Sequence, residues 1–327
     1  MTALLEVEGL SVELPTPRGL LRALSGVDLT LERGRALGVV GESGSGKTML
    51  SRAILRLLPP MARVSGRTSY DGRDFQALDA ETLRALRGRE IAVVFQDPMT
   101  SLNPVLTIGL QITETLREHL GLAGTAARAR AIELLASVGI PEAERRASQY
   151  PHQLSGGMRQ RVAIAIALSC EPRLLMADEP TTALDVTVQA QILDLLARER
   201  QNRHMAMILI THDLSVVAGR TDDVMVMYAG KVMERAPTRA LFKRMRHPYT
   251  EALLAAIPKF HAVPHTPLSA IGGTPPDPTR PAPGCAFSPR CRYAQARCGE
   301  AAPALSTAGE ALHQSACWFP LAERAVA

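Results

Sequence analysis

The octapeptide GESGSGKT has the residue types and spacing of a phosphate-binding loop. It follows the apolar segment ALGVV, precedes the helical pattern MLSRAILRLL, and consists of Gly41, Glu42, Ser43, Gly44, Ser45, Gly46, Lys47 and Thr48. Glycines let successive backbone N–H groups point at a β-phosphate beside a helix N-terminus, which favours anions. We expect Lys47 to reach the β- and γ-phosphates and Thr48 to offer its hydroxyl to Mg²⁺. The strand–loop–helix context therefore predicts a nucleoside triphosphate site.

A second candidate site is the acidic end of the apolar segment LLMADE. In α/β proteins ligands bind beyond the C-terminal ends of parallel strands, which is where Asp178 and Glu179 would lie. We expect Asp178 to hold Mg²⁺, directly or through water, and Glu179 to orient and polarise an attacking water. Considered separately, the pair could be an exposed acidic strand end. Beside a phosphate-binding loop it indicates hydrolysis of the bound nucleotide.

These residues must be positioned by strands and helices that the sequence pattern also predicts. Segments rich in apolar and β-branched residues predict strands at Leu4–Leu10, Ala36–Val40, Ile91–Phe95, Leu174–Ala177, Met207–Ile210 and Val224–Tyr228. Helical patterns lie between several of them, so the fold class is α/β with a largely parallel central sheet. Residues 97–165 are mostly helical in pattern, at Ile108–His119 and Ala126–Val138, and predict a helical insertion. Prolines from Pro258 onward predict an extended arm.

Composition excludes some classes of function. The net charge of +5 is mildly basic, but aromatic residues are only 4% of the chain and no basic run has aromatics interleaved with it, so no nucleic-acid partner is expected. Glu6 and Glu8 interrupt the segment where a signal peptide would be apolar, and no apolar stretch is long enough to span a membrane. We therefore expect a cytosolic chain that reaches a membrane only through a partner.

Further motifs resemble those of ATP-binding-cassette (ABC) ATPases. LSGGMRQR at 154–161 resembles the family's signature and lies just before the acidic strand, as in that family. VFQDPMTSLNP contains Gln96 and resembles the Q-loop, Ala183-Leu184-Asp185 resembles the D-loop, and ILITHDL contains His212 at the position of the switch histidine. The resemblance implies a P-loop NTPase fold, with a parallel-sheet core, an antiparallel β subdomain and a helical insertion at about 97–165.

The resemblance also implies roles for single residues. Two cassettes of this family close face to face, so Ser155, Gly156 and Gly157 would clamp the γ-phosphate of ATP bound to the partner subunit. Gln96 would sense the γ-phosphate and Mg²⁺, and His212 would hold the attacking water in line. Asp185 would join the nucleotide site through the D-loop. Thr48, Gln96 and Asp178 would be the protein's ligands to Mg²⁺, and catalysis would consist of positioning and electrostatic stabilisation.

One position departs from the family pattern. The family stacks the adenine on an aromatic residue in its first hairpin, whereas the equivalent segment here, SVELPTPRG, offers Leu14 and no nearby tyrosine or phenylalanine. An apolar contact can replace stacking, at the loss of the π contribution. We expect Leu14 at the adenine and a chain that still hydrolyses ATP.

The C-terminal part resembles the tail of peptide and nickel importer ATPases. HPYT at 247–250 is followed by EALLAAIP, a proline-rich arm and a cysteine cluster. HPYT could also be simply a helix cap. The tail predicts two domains, an ABC domain of residues 1–257 and a C-terminal extension of residues 258–327. The hydrolysis chemistry can be assigned without that extension.

The cysteine cluster has a spacing of its own. Its members are Cys285, Cys291, Cys298 and Cys317, whereas Cys170 is isolated and is expected to be a small buried hydrophobe. A cytosolic setting disfavours disulfides, and zinc sites usually contain C-x2–4-C pairs, which are absent here. Four thiolates of variable spacing can bind a 4Fe–4S cluster, whose negative charge Arg290, Arg292 and Arg297 would offset. The sequence favours iron–sulfur, with zinc and unliganded or disulfide-linked cysteines as alternatives.

The expected function is ATP hydrolysis that drives a peptide importer at the cytoplasmic face of the membrane. The implied partners are a second ABC ATPase subunit, expected to be a paralogue, two transmembrane permease subunits and an extracytoplasmic solute-binding protein. An importer for nickel or another small solute is the nearest alternative. A soluble ABC ATPase acting as a switch is a more distant one.

Overall fold

The computed structural model describes residues 3–97, 101–182, 184–257, 270–281, 283–307 and 312–321. In chain order, the strands are β1 (Ala3–Thr16), β2 (Gly19–Glu32), β3 (Ala36–Val40), β4 (Arg63–Tyr70), β5 (Arg73–Asp74), β6 (Ile91–Val94), β7 (Leu174–Asp178), β8 (Ala206–Thr211), β9 (Asp223–Tyr228), β10 (Lys231–Pro237), β11 (Ser306–Thr307) and β12 (Gln314–Ser315). All six predicted strands are therefore present, with ends shifted by a few residues and with β1 longer than expected.

The described residues form eleven α-helices, which include those predicted at Ile108–His119 and Ala126–Val138, with ends shifted by one or two residues. They are α1 (Lys47–Ile54), α2 (Ala80–Leu86), α3 (Ile108–Leu120), α4 (Gly124–Ser137), α5 (Ala143–Ala147), α6 (Gly156–Leu168), α7 (Val186–Asn202), α8 (Leu214–Val217), α9 (Thr238–Lys243), α10 (Pro248–Ala255) and α11 (Ala296–Glu300). Short 3₁₀ helices lie at Pro151–Gln153 and Ser288–Arg290. Within the described part of the chain, no helix has both the length and the apolar character needed to cross a membrane.

The chain divides into two compact units. The first contains Glu32–Arg35 and Phe75–Leu209, and the second contains Ala3–Leu31, Ala36–Asp74 and the described residues from Ile210 onward. In the first unit the strand order is β8, β7, β6, and β6 pairs in parallel with β7. Helices α3 to α7 belong to the same unit. Helix α6 is apolar on several sides, and its buried residues include Val162, Ile164 and Leu168, so it forms part of this unit's core.

The second unit contains two sheets. One has the order β2, β1, β4, β5, and β1 pairs with β4 in antiparallel fashion. The other has the order β11, β12, β10, β9, β3, in which only β3 and β9 are parallel. Strand β3 is buried along its whole length. Parallel strands buried on both faces require apolar residues throughout, which explains why ALGVV lacks polar alternation.

The C-terminal segment is attached to this second sheet. Strand β12 pairs with β10, and the Ala316 amide donates to the Met233 carbonyl at 2.8 Å. The buried carboxylate of Glu234 accepts the amides of Arg246 and His247 and lies 2.7 Å from His313 Nε2. The cysteine-bearing chain thus continues the fold of the second unit, although prolines precede it. The part of the predicted arm at 258–269 lies outside the described residues.

Candidate nucleotide-binding site

The phosphate-binding loop connects β3 to α1 and encloses its own lysine. Gly46 caps α1 with a φ of 102°, and a Cβ there would lie 2.8 Å from the Ala23 carbonyl oxygen, so both the conformation and the space require glycine. The Lys47 ammonium donates to the carbonyls of Gly41 and Glu42 at 2.7 and 3.0 Å, and its side chain is almost fully buried. A fixed cation among backbone groups at a helix N-terminus is suited to a polyphosphate.

Glu42 is held by groups from the C-terminal part of the chain. Arg290 donates to both carboxylate oxygens of Glu42, with Nη1–Oε2 at 2.6 Å and Nη2–Oε1 at 3.0 Å. The Glu42 amide donates to the Tyr249 hydroxyl at 2.8 Å. Sequence reasoning missed both contacts and placed the cysteine segment outside the hydrolysis machinery. An arginine between two cysteines and the tyrosine of HPYT were the available signals, and neither indicates which carboxylate or amide it reaches.

The predicted acidic site lies in the first unit, at the end of β7. Asp178 is the last residue of this strand and is 3% exposed. Glu179 follows with a φ of 47°, a left-handed conformation that is costly for a residue with a Cβ. Its Oε2 accepts hydrogen bonds from Gln96 Nε2 at 3.1 Å and from Thr182 Oγ1 at 3.0 Å. The structure thus brings together the predicted Q-loop glutamine and the predicted catalytic carboxylate.

The predicted signature residues lie where α6 begins. Ser155 is the N-cap of this helix, its Oγ accepts the Met158 amide at 3.3 Å, and both Ser155 and Gly156 are exposed. A Cβ on Gly157 would lie only 2.6 Å from Val188 Cγ1, so this glycine permits close packing between α6 and α7. An exposed helix N-terminus with a serine cap can bind an anion brought by another molecule.

The structure also gives the positions of the remaining predicted site residues. Asp185 caps α7 by accepting the Val188 amide at 2.9 Å, and Ala183 of the same motif lies outside the described residues. His212 is exposed directly after β8, and Leu14 is half-buried in β1. In the second unit Ser43 is exposed and Thr48 is half-buried.

The four clustered cysteines surround one small cavity. Cys285, Cys291, Cys298 and Cys317 all line it, together with aromatic side chains and His247. Burial raises the pKa of Cys317 to about 11, and the three other clustered thiols add to this shift. Among the described residues, no three His, Cys, Asp or Glu side chains form a group that could hold a metal ion. Cys170 is buried elsewhere, as predicted.

HPYT both caps a helix and contacts this region. His247 is the N-cap of α10, and its Nδ1 accepts the Tyr249 amide at 3.0 Å. Tyr249, Tyr228 and Phe287 form an aromatic cluster with ring centroids 4.7 to 5.4 Å apart. Phe287 belongs to the cysteine segment and is 2% exposed. The helix-cap interpretation is therefore confirmed, and the same motif also anchors the cysteine segment.

Known proteins are similar in sequence to this chain over most of its length. The model of the ABC transporter family matches residues 24–182, and that of the oligopeptide/dipeptide transporter C-terminal region matches residues 233–298. The dipeptide transport ATP-binding protein DppD of Escherichia coli K12 is 47% identical over 320 residues, which cover 98% of this chain and 97% of that protein. The chain belongs to the ABC transporter ATPases. The oligopeptide transport ATP-binding protein OppD of Bacillus subtilis is 49% identical to this ABC ATPase over 296 residues, or 90% and 83% of the two chains.

A solved structure supports the same assignment. The ATP-binding cassette MJ0796, described as a dimer in a post-hydrolysis state bound to ADP and Pi, matches this ABC ATPase with a TM-score of 0.65 and 30% identity, over 72% of this chain and 99% of that one. ATP hydrolysis is accordingly the activity of this ABC ATPase. The predicted fold class is confirmed.

Proposed function

We propose that this ABC ATPase powers an importer of dipeptides or oligopeptides. The match of residues 233–298 to the oligopeptide/dipeptide transporter C-terminal region carries the proposal, because ABC ATPases of many other systems share the cassette. Relatives at 47% and 49% identity are named for dipeptide and oligopeptide transport, which supports the same substrate class. We also retain the predicted division into an ABC domain of residues 1–257 and an extension of residues 258–327.

In the proposed mechanism each residue acts by position and charge. Lys47 and the loop amides bind the β- and γ-phosphates of ATP. Glu179 polarises the attacking water, and its hydrogen bonds from Gln96 and Thr182 hold the carboxylate in one orientation. His212 orients the same water from the end of β8. The exposed N-terminus of α6, with Ser155, Gly156 and Gly157, clamps the γ-phosphate held by a second subunit.

Magnesium and the adenine have proposed ligands as well. Thr48, Gln96 and Asp178 offer hydroxyl, amide and carboxylate oxygens, which are the donors that Mg²⁺ prefers. Mg²⁺ neutralises phosphate charge when bound. Asp178 is 3% exposed, and a buried carboxylate at the end of a strand is suited to bind a cation. Leu14 is proposed to contact the adenine, and Asp185 to act at the interface between subunits.

The proposed assembly places this chain at the cytoplasmic face of the membrane. A second ABC ATPase subunit, which we propose is a paralogue, would complete the two ATP sites. Two permease subunits and an extracytoplasmic solute-binding protein would supply the pathway and the selectivity.

We further propose that the four clustered cysteines bind a 4Fe–4S cluster. All four thiols line one cavity, although no three His, Cys, Asp or Glu side chains among the described residues form a group that could hold a metal ion. The spacing of the four cysteines supports iron–sulfur over zinc, because zinc sites usually contain C-x2–4-C pairs and this segment has none. The cluster would be structural or redox-sensing, since none of its four cysteines is among the proposed catalytic residues.

The metal proposal can be tested with anaerobically purified full-length chain. We expect iron and sulfide in equal amounts and an absorption band at about 400 nm. Cys291→Ser should abolish the band, whereas Cys170→Ser should leave it unchanged. A colourless protein that contains zinc, or no metal, would contradict the proposal.

The importer proposal can be tested by reconstitution in proteoliposomes. The chain would be combined with its genomic neighbours, if these encode permeases, a second ATPase and a binding protein, and with labelled dipeptide, oligopeptide or nickel chelate. We expect ATP-dependent peptide uptake that Lys47→Ala abolishes. Uptake of nickel but not peptide would favour the small-solute alternative. ATP hydrolysis without association with any permease would favour the soluble switch.

A further inference from the structure

Arg290 is a buried charged side chain that is not among the proposed residues of the nucleotide site. Its guanidinium contacts Glu42 with two hydrogen bonds, the Tyr228 hydroxyl at 3.1 Å and the carbonyls of Ile271 and Gly272 at 3.0 and 2.9 Å. An arginine has five N–H donors, and these contacts account for all five. The side chain is 3% exposed, compared with 27% for Glu42. The orientation of the Glu42 carboxylate is therefore determined by Arg290.

The cysteine segment determines the position of Arg290. The residue ends the 3₁₀ helix Ser288–Arg290 and directly precedes Cys291. Phe287, one residue before this helix, packs edge-on against Tyr228 with ring centroids 5.4 Å apart. The Cys285 amide also donates to the Cys298 carbonyl at 2.8 Å, which closes the segment on itself. Arg290 thus reaches the phosphate-binding loop only when this segment is folded.

A charge argument gives the contact its function. Glu42 is part of the loop that binds the triphosphate, and a free carboxylate there would repel the phosphate oxygens. The hydrogen bonds to Glu42 raise the pKa of Arg290 above its ordinary value, so the arginine stays charged throughout the neutral range. The pair therefore carries no net charge, and the field at the loop is dominated by Lys47 and the backbone amides.

We propose that Arg290 is a positioning residue of the nucleotide site, which sets the affinity of the phosphate-binding loop for ATP by neutralising and orienting Glu42. The inference goes beyond the assigned ATPase activity, because it makes the cysteine segment a determinant of nucleotide affinity. It rests on the ATP site of the proposed function. Arg290 would act on the phosphates only through Glu42.

The test measures the Kd of the full-length chain for a non-hydrolysable ATP analogue with Mg²⁺. Arg290→Met keeps the aliphatic stem and removes the charge, and we expect the Kd to rise about tenfold. Adding Glu42→Gln to Arg290→Met should return the Kd to within about twofold of the unaltered chain, since no charge then remains to repel ATP. Arg84→Met is the matched control, because Arg84 also donates to a glutamate, Glu118, at 2.6 Å, but both of these side chains are exposed. Its Kd should be unchanged.

The rescue separates this role from a purely structural one. A Kd for Arg290→Met within about twofold of the unaltered chain would overturn the proposal. The proposal would also be overturned if the double variant, Arg290→Met with Glu42→Gln, bound the ATP analogue as weakly as Arg290→Met alone. The weaker binding would then come from lost packing and not from the charge of Glu42. If Arg290→Met does not fold, the Glu42→Gln variant tests the proposal. This variant leaves the positive charge of Arg290 without its carboxylate partner near the phosphates, so it should bind the ATP analogue more tightly. Unchanged or weaker binding would contradict the proposal. Lys47→Ala tests the ATP site itself, so failure of that site is distinguishable from failure of the role of Arg290.

Discussion

Gln96 and Glu179 lie side by side beyond the ends of two neighbouring parallel strands, with Gln96 Nε2 3.1 Å from Glu179 Oε2. Strands β6 and β7 pair in the register Val94 to Ala177, so each of the two residues lies two positions past this pair. The amide and the Thr182 hydroxyl therefore orient the same oxygen of this carboxylate. Under the proposed function, the residue that senses the γ-phosphate thus contacts the residue that activates water.

Glu179→Gln should arrest hydrolysis and leave ATP binding intact. The amide cannot act as a general base, so turnover should fall at least about 100-fold. Steady-state phosphate release and a nucleotide-binding titration would measure the two effects. Glu171→Gln is the matched control, since Glu171 also has a positive φ, 54°, but only pairs with Arg130 at the surface. Normal turnover in Glu179→Gln would refute the catalytic role.

Tyr249→Phe should loosen the phosphate-binding loop. The substitution leaves the Glu42 amide without its 2.8 Å partner, which should cost about 1 kcal/mol of unfolding free energy and weaken ATP binding several-fold. Tyr293→Phe removes a 3.4 Å hydrogen bond to Glu251 and an interaction of the hydroxyl with Arg292, neither of which involves the loop, and should change neither quantity. Urea unfolding and ATP titration of both variants would check this. Equal behaviour of the two variants would mean that the Tyr249 hydroxyl does not support the loop.

Gly157→Ala should destabilise the contact between α6 and α7. The added Cβ would lie 2.6 Å from Val188 Cγ1, and overpacking of this kind should cost about 1–3 kcal/mol. Val188→Ala in the same chain should restore most of that stability. A Cβ added at Gly156 would have Leu184 Cδ2 as its nearest neighbour, at 3.5 Å, which is ordinary van der Waals contact. The Gly156→Ala variant should therefore have the same melting temperature as the unaltered chain. A melting temperature unchanged by Gly157→Ala would show that the helices can move apart.

His247 should make the fold sensitive to acid. Burial lowers its pKa from 6.5 to about 4, although Glu234 opposes the shift. The folded state therefore favours the neutral ring, and the unfolded chain takes up a proton first. Stability from this group is complete above pH 6.5 and is lost as the pH falls toward 4, by roughly 3 kcal/mol in total.

Chemical unfolding at a series of pH values would measure this loss. His247→Asn keeps a side chain that can cap α10 and should flatten the pH dependence between 6.5 and 4. His152→Asn, at an exposed histidine stacked on Tyr150, should leave the pH dependence as it is. An equally steep profile in His247→Asn would assign the acid sensitivity to other groups.

The sequence by itself determined the features that depend only on residues adjacent in the chain. The loop Gly41–Thr48 is flanked by its own strand and helix, and glycine geometry with one lysine specifies its chemistry within eight positions. The buried strands Ala36–Val40 and Leu174–Asp178 were recognisable because both faces of a central parallel strand need apolar residues. Gly157 was recognisable from its motif, but only the structure shows that a glycine is needed there because Val188 packs against it.

Only the tertiary structure decided which distant groups meet. Gln96 and Glu179 are 83 positions apart and are joined by strand register, while Tyr249 and Arg290 reach Glu42 across 207 and 248 positions. Such pairings depend on how β12 adds to β10 and on the aromatic packing of Phe287, which no local pattern encodes. The prolines after Pro258 indicated a separate extension. In the structure, however, the cysteine segment contacts the phosphate-binding loop through the hydrogen bonds of Arg290 to Glu42 and is held there by the buried ring of Phe287. A local pattern specifies the chemistry a residue can perform, and long-range packing selects the residue on which it acts.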